Sequence, residues 1–283
     1  MQTQRALFGT ATVLGLAVAV VLALPGTAAV TSTADAAGAT QVPQDYYLAL
    51  GDSMSYGFQP GKGTRPAAFT TGYVDVFATR LEKLSSQIQV VNYGCPGESS
   101  VTFTRGGCPW KTEGMKLHDP FRGSQLNAAL SFLRAHPGQV SPITLTLWGN
   151  DLAPLSARGK RAPKAIASFA SRLTSILKQL RGAAPSAQII VSGAWNPEGD
   201  RLKQTQPLYR SLNTAIARAA AASSARVANM TSALSPPGNA RTQQARLCAL
   251  TFLCSKGDVH PTDAGYRAMA NAFLAASGYP RSP

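Results

Sequence analysis

Short apolar runs alternate along this chain with longer segments of helical periodicity, and this alternation limits the possible folds more than any other feature. Buried strands are predicted for five runs, at 46–50, 88–92, 143–148, 189–192 and 226–230. In the segments between them apolar side chains recur at i, i+3, i+4 and i+7, as at Leu126, Ala129, Leu130 and Leu133. Strands joined through helices form right-handed βαβ units. The sequence therefore predicts a three-layer α/β/α domain around a five-stranded parallel sheet.

The first 36 residues have the layout of a secretory signal peptide. Arg5 precedes an uncharged run over 6–24, and small residues suited to cleavage follow near Ala29 and Ala36. A retained signal anchor is the alternative, but the run contains polar and glycine positions that suit a membrane span poorly. The chain is predicted to comprise a signal peptide (1–36), a linker (37–43) and one domain (44–283), and to be secreted.

Four cysteines in an exported chain predict two disulfides rather than a metal site. Three connectivities are possible. The local one joins Cys95 to Cys108 and Cys248 to Cys254, and it is favoured because it closes short loops at low entropic cost. No Cys-x-x-Cys occurs and only three histidines are present, so zinc would have few ligands. We expect neither a metal nor another cofactor.

The chain is strongly basic, with 27 Lys and Arg against 13 Asp and Glu, a formal charge of +14. Such a field favours anionic partners, among them cell-surface polymers, lipid headgroups and nucleic acid. Nucleic acid is disfavoured because the chain is exported and no aromatic residues interleave with the densest basic run. That run comprises Arg158, Lys160, Arg161 and Lys164. An alternative function is that of a cationic binding protein without turnover, for which this run would be the binding surface. Solvated helix faces often show the same pattern of charges.

Polar motifs follow the predicted strands at the sheet edge where α/β proteins bind ligands. They are Gly51-Asp52-Ser53-Met54, Asn92-Tyr93-Gly94-Cys95, Gly149-Asn150-Asp151 and, before the last helix, Asp258-Val259-His260-Pro261-Thr262. A serine hydroxyl becomes nucleophilic when a histidine removes its proton, so Ser53 and His260 are predicted to act together. The resulting oxyanion needs fixed donors. The backbone N–H groups of Ser53 and Gly94 and the side-chain amide of Asn150 are the candidates.

These four motifs, in this order, resemble the SGNH or GDSL hydrolases, a family of serine esterases, lipases and related acyl hydrolases on a flavodoxin-like sheet. The resemblance covers nearly the whole mature chain. It implies that the signature residues are Ser53, Gly94, Asn150 and His260. It also implies cleavage of carboxylic esters, in small molecules or lipids, through an acyl-enzyme. No serine lies in Gly-x-Ser-x-Gly, so the other common nucleophile motif of α/β hydrolases is absent.

Two positions depart from the family pattern. The orienting acid usually lies three residues before the histidine, where this chain has Gly257; Asp258 lies two before. Either Asp258 holds the imidazole of His260, or a backbone carbonyl does so and a dyad remains. Trp148 replaces the usual first glycine of the third motif, which predicts a narrowed pocket and short or medium acyl chains. Trp195, after the fourth strand, is predicted to be either another pocket wall or core.

The sequence therefore predicts a secreted monomeric serine esterase or lipase. Acyl transfer to an alcohol instead of water is the second alternative, which the sequence does not separate from hydrolysis.

Overall fold

The computed structural model describes residues 42–198, 202–236 and 238–280. Its strands are β1 (Tyr46–Gly51), β2 (Gln89–Asn92), β3 (Val140–Thr146), β4 (Ile189–Ser192) and β5 (Arg226–Ala228). They form one sheet in the order β2-β1-β3-β4-β5, with every neighbouring pair parallel. The predicted five-stranded α/β architecture is confirmed. The predicted signal peptide (1–36) and most of the predicted linker (37–43) lie outside the described residues.

Helices occupy most of the segments between the strands. They are α1 (Ser53–Tyr56), α2 (Tyr73–Glu82), α3 (Ser100–Arg105), α4 (Pro109–Thr112), α5 (Gln125–Ala135), α6 (Gly149–Leu152), α7 (Ala162–Ala183), α8 (Leu202–Ala221), α9 (Met230–Leu234), α10 (Ala240–Leu250), α11 (Leu253–Lys256) and α12 (Asp263–Ser277). Short 3-10 turns span Pro66–Ala68 and Leu155–Arg161. None of the helices in the described ranges is long and apolar enough to cross a membrane.

The sheet is covered on both faces, as right-handed crossovers require. Helix α5 packs on α7 and α7 on α8, while α2 packs on α12. The helix ends carry residues suited to capping: the Ser124 hydroxyl caps α5, Thr262 caps α12, and Gly278 ends α12 with a left-handed backbone. Because β1, β3 and β4 are buried on both faces, their carboxyl ends are held rigidly and can position side chains.

Two predicted strands are shorter than expected at their carboxyl ends. β3 ends at Thr146 rather than Trp148, and β5 ends at Ala228 rather than Met230. At β5 the cause is a helix cap, because the Asn229 side chain accepts from the Ser232 N–H and α9 begins at once.

Both cysteine pairs are joined locally, Cys95 with Cys108 and Cys248 with Cys254, as the preferred connectivity predicted. The first disulfide is buried in a small apolar cluster with Tyr56 and Phe69. It lies in the segment after β2, which lines one side of the site described next.

Candidate active site

The loop after β1 places Ser53 at the first position of α1. Asp52, 4% exposed, caps this helix by accepting from the Met54 N–H at 3.0 Å and from the Thr146 hydroxyl at 2.9 Å. Gly51 is required here because it has φ +126° and a Cβ would stand 2.1 Å from the Thr146 carbonyl oxygen. The turn is therefore fixed at both residues that precede Ser53.

Three side chains that the sequence singled out form a hydrogen-bonded line. The Ser53 Oγ lies 2.8 Å from His260 Nε2, and His260 Nδ1 lies 2.7 Å from Asp258 Oδ1. With the ring proton on Nδ1 donated to Asp258, Nε2 is free to accept from the serine hydroxyl. The ring of Phe58 packs edge-on against the imidazole, with centroids 4.7 Å apart.

The shifted position of the acid has a local explanation. Gly257 ends α11 in a left-handed conformation, and Asp258 then folds back so that its Oδ1 also accepts from the His260 backbone N–H at 2.8 Å. The hydrogen bond to His260 holds the pKa of Asp258 below its ordinary value. Two residues of separation therefore suffice to bring this carboxylate to Nδ1.

The N–H of Gly94 is directed to a neighbouring side chain rather than to the cavity. Its N–H donates to the Asn92 side chain at 2.9 Å, and Gly94 is not among the residues that line the cavity beside Ser53. A Cβ at Gly94 would stand 2.5 Å from the Tyr56 nitrogen, so close packing explains the glycine. The predicted oxyanion donor is therefore corrected, because this N–H already has a partner.

Gly97, which sequence analysis missed, lies where Gly94 was expected. It lines the same cavity as Ser53 and has φ +84°. Across the described residues, neither the Gly97 N–H nor the Ser53 N–H has a hydrogen-bond acceptor. The available signal was the Ser99 cap of α3, because Gly97 lies two residues before this cap, and successive backbone N–H groups in such turns can bind an anion.

Asn150, in α6, also lines the cavity. One of its amide hydrogens goes to the Glu98 carbonyl oxygen at 2.8 Å, which leaves the second for a ligand. Asp151 anchors the neighbouring helix: it accepts from the Ser100 N–H at 2.7 Å and from Arg172 at 3.1 Å.

The cavity above Ser53 has a volume of about 690 Å³ and mainly apolar walls. Its aromatic lining consists of Phe58, Trp110, Trp148 and Trp195. The indoles of Trp148 and Trp195 meet edge-on at 4.9 Å and are only 4% and 3% exposed. Both tryptophans therefore belong to the core and to the pocket wall at once.

Two carboxyls are buried beneath the site. Burial raises the pKa of Asp52 to about 6 and that of Glu98 to about 7. Glu98 is 1% exposed, and one of its oxygens, Oε1, has no hydrogen-bond partner in the described part of the chain. Glu98 also lies within 4.8 Å of Cys95 and Cys108, but their sulfurs form the disulfide and offer no thiolate to a metal.

The buried Glu98 makes stability fall as pH rises. The unfolded chain releases this proton near pH 4.5, whereas the folded protein keeps it to about pH 7, so folding becomes less favourable across that interval. We expect the free energy of unfolding of Glu98→Gln to exceed that of wild type by about 1 to 3 kcal/mol at pH 8 and to equal it near pH 4. Urea unfolding at both pH values measures this; a gain that does not change with pH would contradict it.

Comparisons with known proteins concern the family and the fold. The model of the GDSL-like lipase/acylhydrolase family matches residues 49–268. No individually curated protein matches the chain significantly in sequence.

Several solved structures share the fold. An acetylxylan esterase from Geobacillus stearothermophilus is 18% identical, with a TM-score of 0.56, and the match covers 86% of this chain and all of that one. An α/β hydrolase from the metagenome of Lake Arreo is 17% identical, with a TM-score of 0.57 and coverage of 87% and 100%. A protein from Parabacteroides merdae described as GDSL-like is 17% identical, with a TM-score of 0.56 and coverage of 84% and 98%.

Proposed function

The chain belongs to the GDSL-like lipase/acylhydrolase family, and we propose that it is a secreted serine hydrolase that cleaves carboxylic esters. The observation that carries the proposal is the hydrogen-bonded line from Ser53 through His260 to Asp258, at the floor of an apolar cavity. A nucleophile, a base and a group that orients the base are the minimum that acyl transfer requires.

The proposed reaction has two halves. The Ser53 oxygen adds to the ester carbonyl carbon while its proton passes to His260 Nε2, and the carbonyl electron pair moves onto oxygen. The intermediate collapses with cleavage of the carbon–oxygen bond to the alcohol, which leaves with the proton from His260. Water then attacks the acyl-serine, again giving its proton to Nε2. Release of the carboxylic acid returns the proton to Ser53.

The proposed oxyanion donors are the N–H groups of Ser53 and Gly97 and the free amide hydrogen of Asn150. All three residues line the cavity, and the two backbone donors have no competing acceptor among the residues described. Donors that are fixed before the reaction cost no reorganisation when charge develops, and one such donor is worth about 3 to 4 kcal/mol in comparable enzymes.

The proposed substrates carry a short or medium acyl chain. Trp148 directly precedes the α6 turn that carries Asn150, so its indole bounds the space beside the oxyanion site. Contact with Trp195 holds that indole in place. One structural neighbour is named as an acetylxylan esterase, which is consistent with a small acyl group.

A series of nitrophenyl esters is expected to show a maximum in kcat/KM at short or medium acyl chains. Trp148→Ala is expected to move this maximum toward longer chains, because each methylene given room in an apolar pocket contributes about 1 kcal/mol to transition-state binding. Turnover that rises steadily to long fatty-acyl esters in wild type would instead favour a lipase.

Covalent labelling tests the function itself. A serine-directed alkyl phosphonate is expected to react rapidly, and peptide mapping is expected to locate the adduct on Ser53, because only a base-activated hydroxyl reacts quickly. The His260→Ala variant serves as the control and should label far more slowly. A binding protein without turnover would neither label nor hydrolyse the esters.

Secretion and the partners are part of the same proposal. Two disulfides suit an oxidising compartment. Lys160, Arg161 and Lys164 are exposed at the start of α7, close in sequence to the cavity-lining Ser156. Anionic cell-surface polymers or lipid headgroups are the partners that this basic run would attract.

A further inference from the structure

One buried side chain joins the segments that carry all the proposed oxyanion donors. Resting on the proposed function, we propose that Gln125 is a positioning residue that holds these donors in register. It is the first residue of α5, it is fully buried, and it contacts neither Ser53 nor the cavity.

Gln125 completes the hydrogen bonding of β1 where its neighbour ends. In the β1–β2 ladder Asn92, the last residue of β2, lies opposite Ala49. Two residues further along, the Gly51 N–H donates to Gln125 Oε1 at 2.6 Å. Gly51 O accepts from Gln125 Nε2 at 3.0 Å and also from the Cys95 N–H at 2.9 Å. The side-chain amide therefore supplies the acceptor that β2 does not offer to the Gly51 N–H, and a second donor to Gly51 O. It fixes the turn that leads to Ser53.

The Gln125 amide also contacts the segment after β2, which lines the cavity through Gly97. Gln125 Nε2 also donates to Glu98 Oε2 at 3.0 Å. Glu98 follows Gly97 directly, and its carbonyl oxygen accepts from the Asn150 side chain at 2.8 Å. Through Glu98, Gln125 is thus connected to the residues that supply the second and third donors.

This network has no other evident use. Gln125 is not exposed, does not line the cavity and takes no part in the proton transfers of the proposed reaction. Its three polar contacts are all with residues that precede or support the proposed donors. A displacement of such donors by a fraction of an ångström weakens stabilisation of the transition state while leaving the cavity that binds the ester unchanged.

Gln125→Met keeps the length of the side chain and removes its polar atoms. We expect kcat for a short nitrophenyl ester to fall about 10- to 100-fold with KM changed less than about threefold, as for a partly misplaced oxyanion donor. Ser141→Ala is the matched control: it removes buried hydrogen bonds to Gln188 and Tyr279 near the amino end of β3, at the opposite edge of the sheet. It should lower the melting temperature without changing kcat.

An exchange of the two polar groups provides a rescue. Gln125→Glu alone loses the donor and sets a second carboxyl against Glu98, so we expect kcat to fall at least as far as in Gln125→Met. In the double variant Glu98→Gln/Gln125→Glu an amide again faces a carboxyl group across this contact, while Gly51 O keeps the Cys95 N–H. We expect kcat to recover by about tenfold over Gln125→Glu, a coupling typical of direct contacts. Glu98→Gln alone, which keeps an acceptor for Gln125, should stay within threefold of wild type.

Affinity for an alkyl boronic acid separates positioning from mere stabilisation of the fold. The Ser53 oxygen adds to boron while its proton passes to His260 Nε2, and the resulting anionic tetrahedral centre needs the same donors as the reaction. Across the variants the inhibition constant should therefore rise in proportion to the loss of kcat/KM.

Failure of the positioning role of Gln125 and failure of the proposed function give different results. If wild type hydrolyses esters and Gln125→Met keeps its kcat and boronate affinity while melting lower, the positioning role is overturned. An absence of rescue in the double variant also overturns it. If wild type neither hydrolyses esters nor labels at Ser53, the proposed function itself has failed.

Discussion

Ser53→Ala is expected to lower kcat for a nitrophenyl ester by about 10⁴- to 10⁶-fold, the range seen when a serine nucleophile is removed from an enzyme of this kind. The Ser53 Oγ is the hydroxyl that lies 2.8 Å from the imidazole nitrogen. The alanine methyl group that replaces this hydroxyl cannot form the acyl-enzyme. KM is expected to change little, because the aromatic walls that bind the ester remain in place.

The double variant Ser53→Ala/His260→Ala should be no slower than Ser53→Ala alone, since a base without a nucleophile contributes nothing further. Ser131→Ala, on the exposed face of α5, is the matched control and should retain wild-type turnover. Hydrolysis and labelling that survive in Ser53→Ala would assign the nucleophile to another residue.

Asp258→Asn is expected to lower kcat by about 10⁴-fold, the loss known for this substitution in a serine hydrolase triad. The carboxylate lies 2.7 Å from His260 Nδ1 and accepts a hydrogen bond from it, whereas an amide presents a donor and favours the wrong tautomer. It also removes the negative charge that stabilises the imidazolium formed when Ser53 attacks. Substrate binding should be preserved.

Asp263→Asn is the matched control for Asp258. This second carboxylate lies at the start of α12 and contacts Gln59, Thr71 and Lys62 rather than the imidazole. Its loss should change turnover less than about threefold, as for other exposed ion pairs. A loss within tenfold for Asp258→Asn would indicate a Ser–His dyad in which another group holds the ring.

The fold could be predicted because its determinants are local and periodic. Runs of about five apolar residues fit buried parallel strands, and stripes at i, i+3 and i+4 fit the helices that cover them. The strand ends at Thr146 and Ala228 were missed by two residues because local turns and caps, not hydrophobicity, decide where pairing stops.

Ser53 and His260 could be proposed from sequence because each follows or precedes a predictable element in a parallel sheet. The carboxyl ends of such strands meet at one edge, so residues far apart in sequence are brought near one another. The position of Asp258 beside His260 in sequence restricted the acid to two alternatives without choosing between them.

What the sequence alone determined was therefore the sheet, its edge and two residues, Ser53 and His260, that lie within hydrogen-bond distance there. Which glycine presents a free N–H depended on tertiary contacts: Gly94 is pressed against Tyr56 and bonded to Asn92, whereas Gly97 is left open to the cavity. The Asp258 rotamer and the bridge from Gln125 to Glu98 were likewise decided by packing. The physical reason is that periodicity places backbone elements to within a residue or two, while a hydrogen bond requires atoms to within a few tenths of an ångström, which only the assembled core enforces.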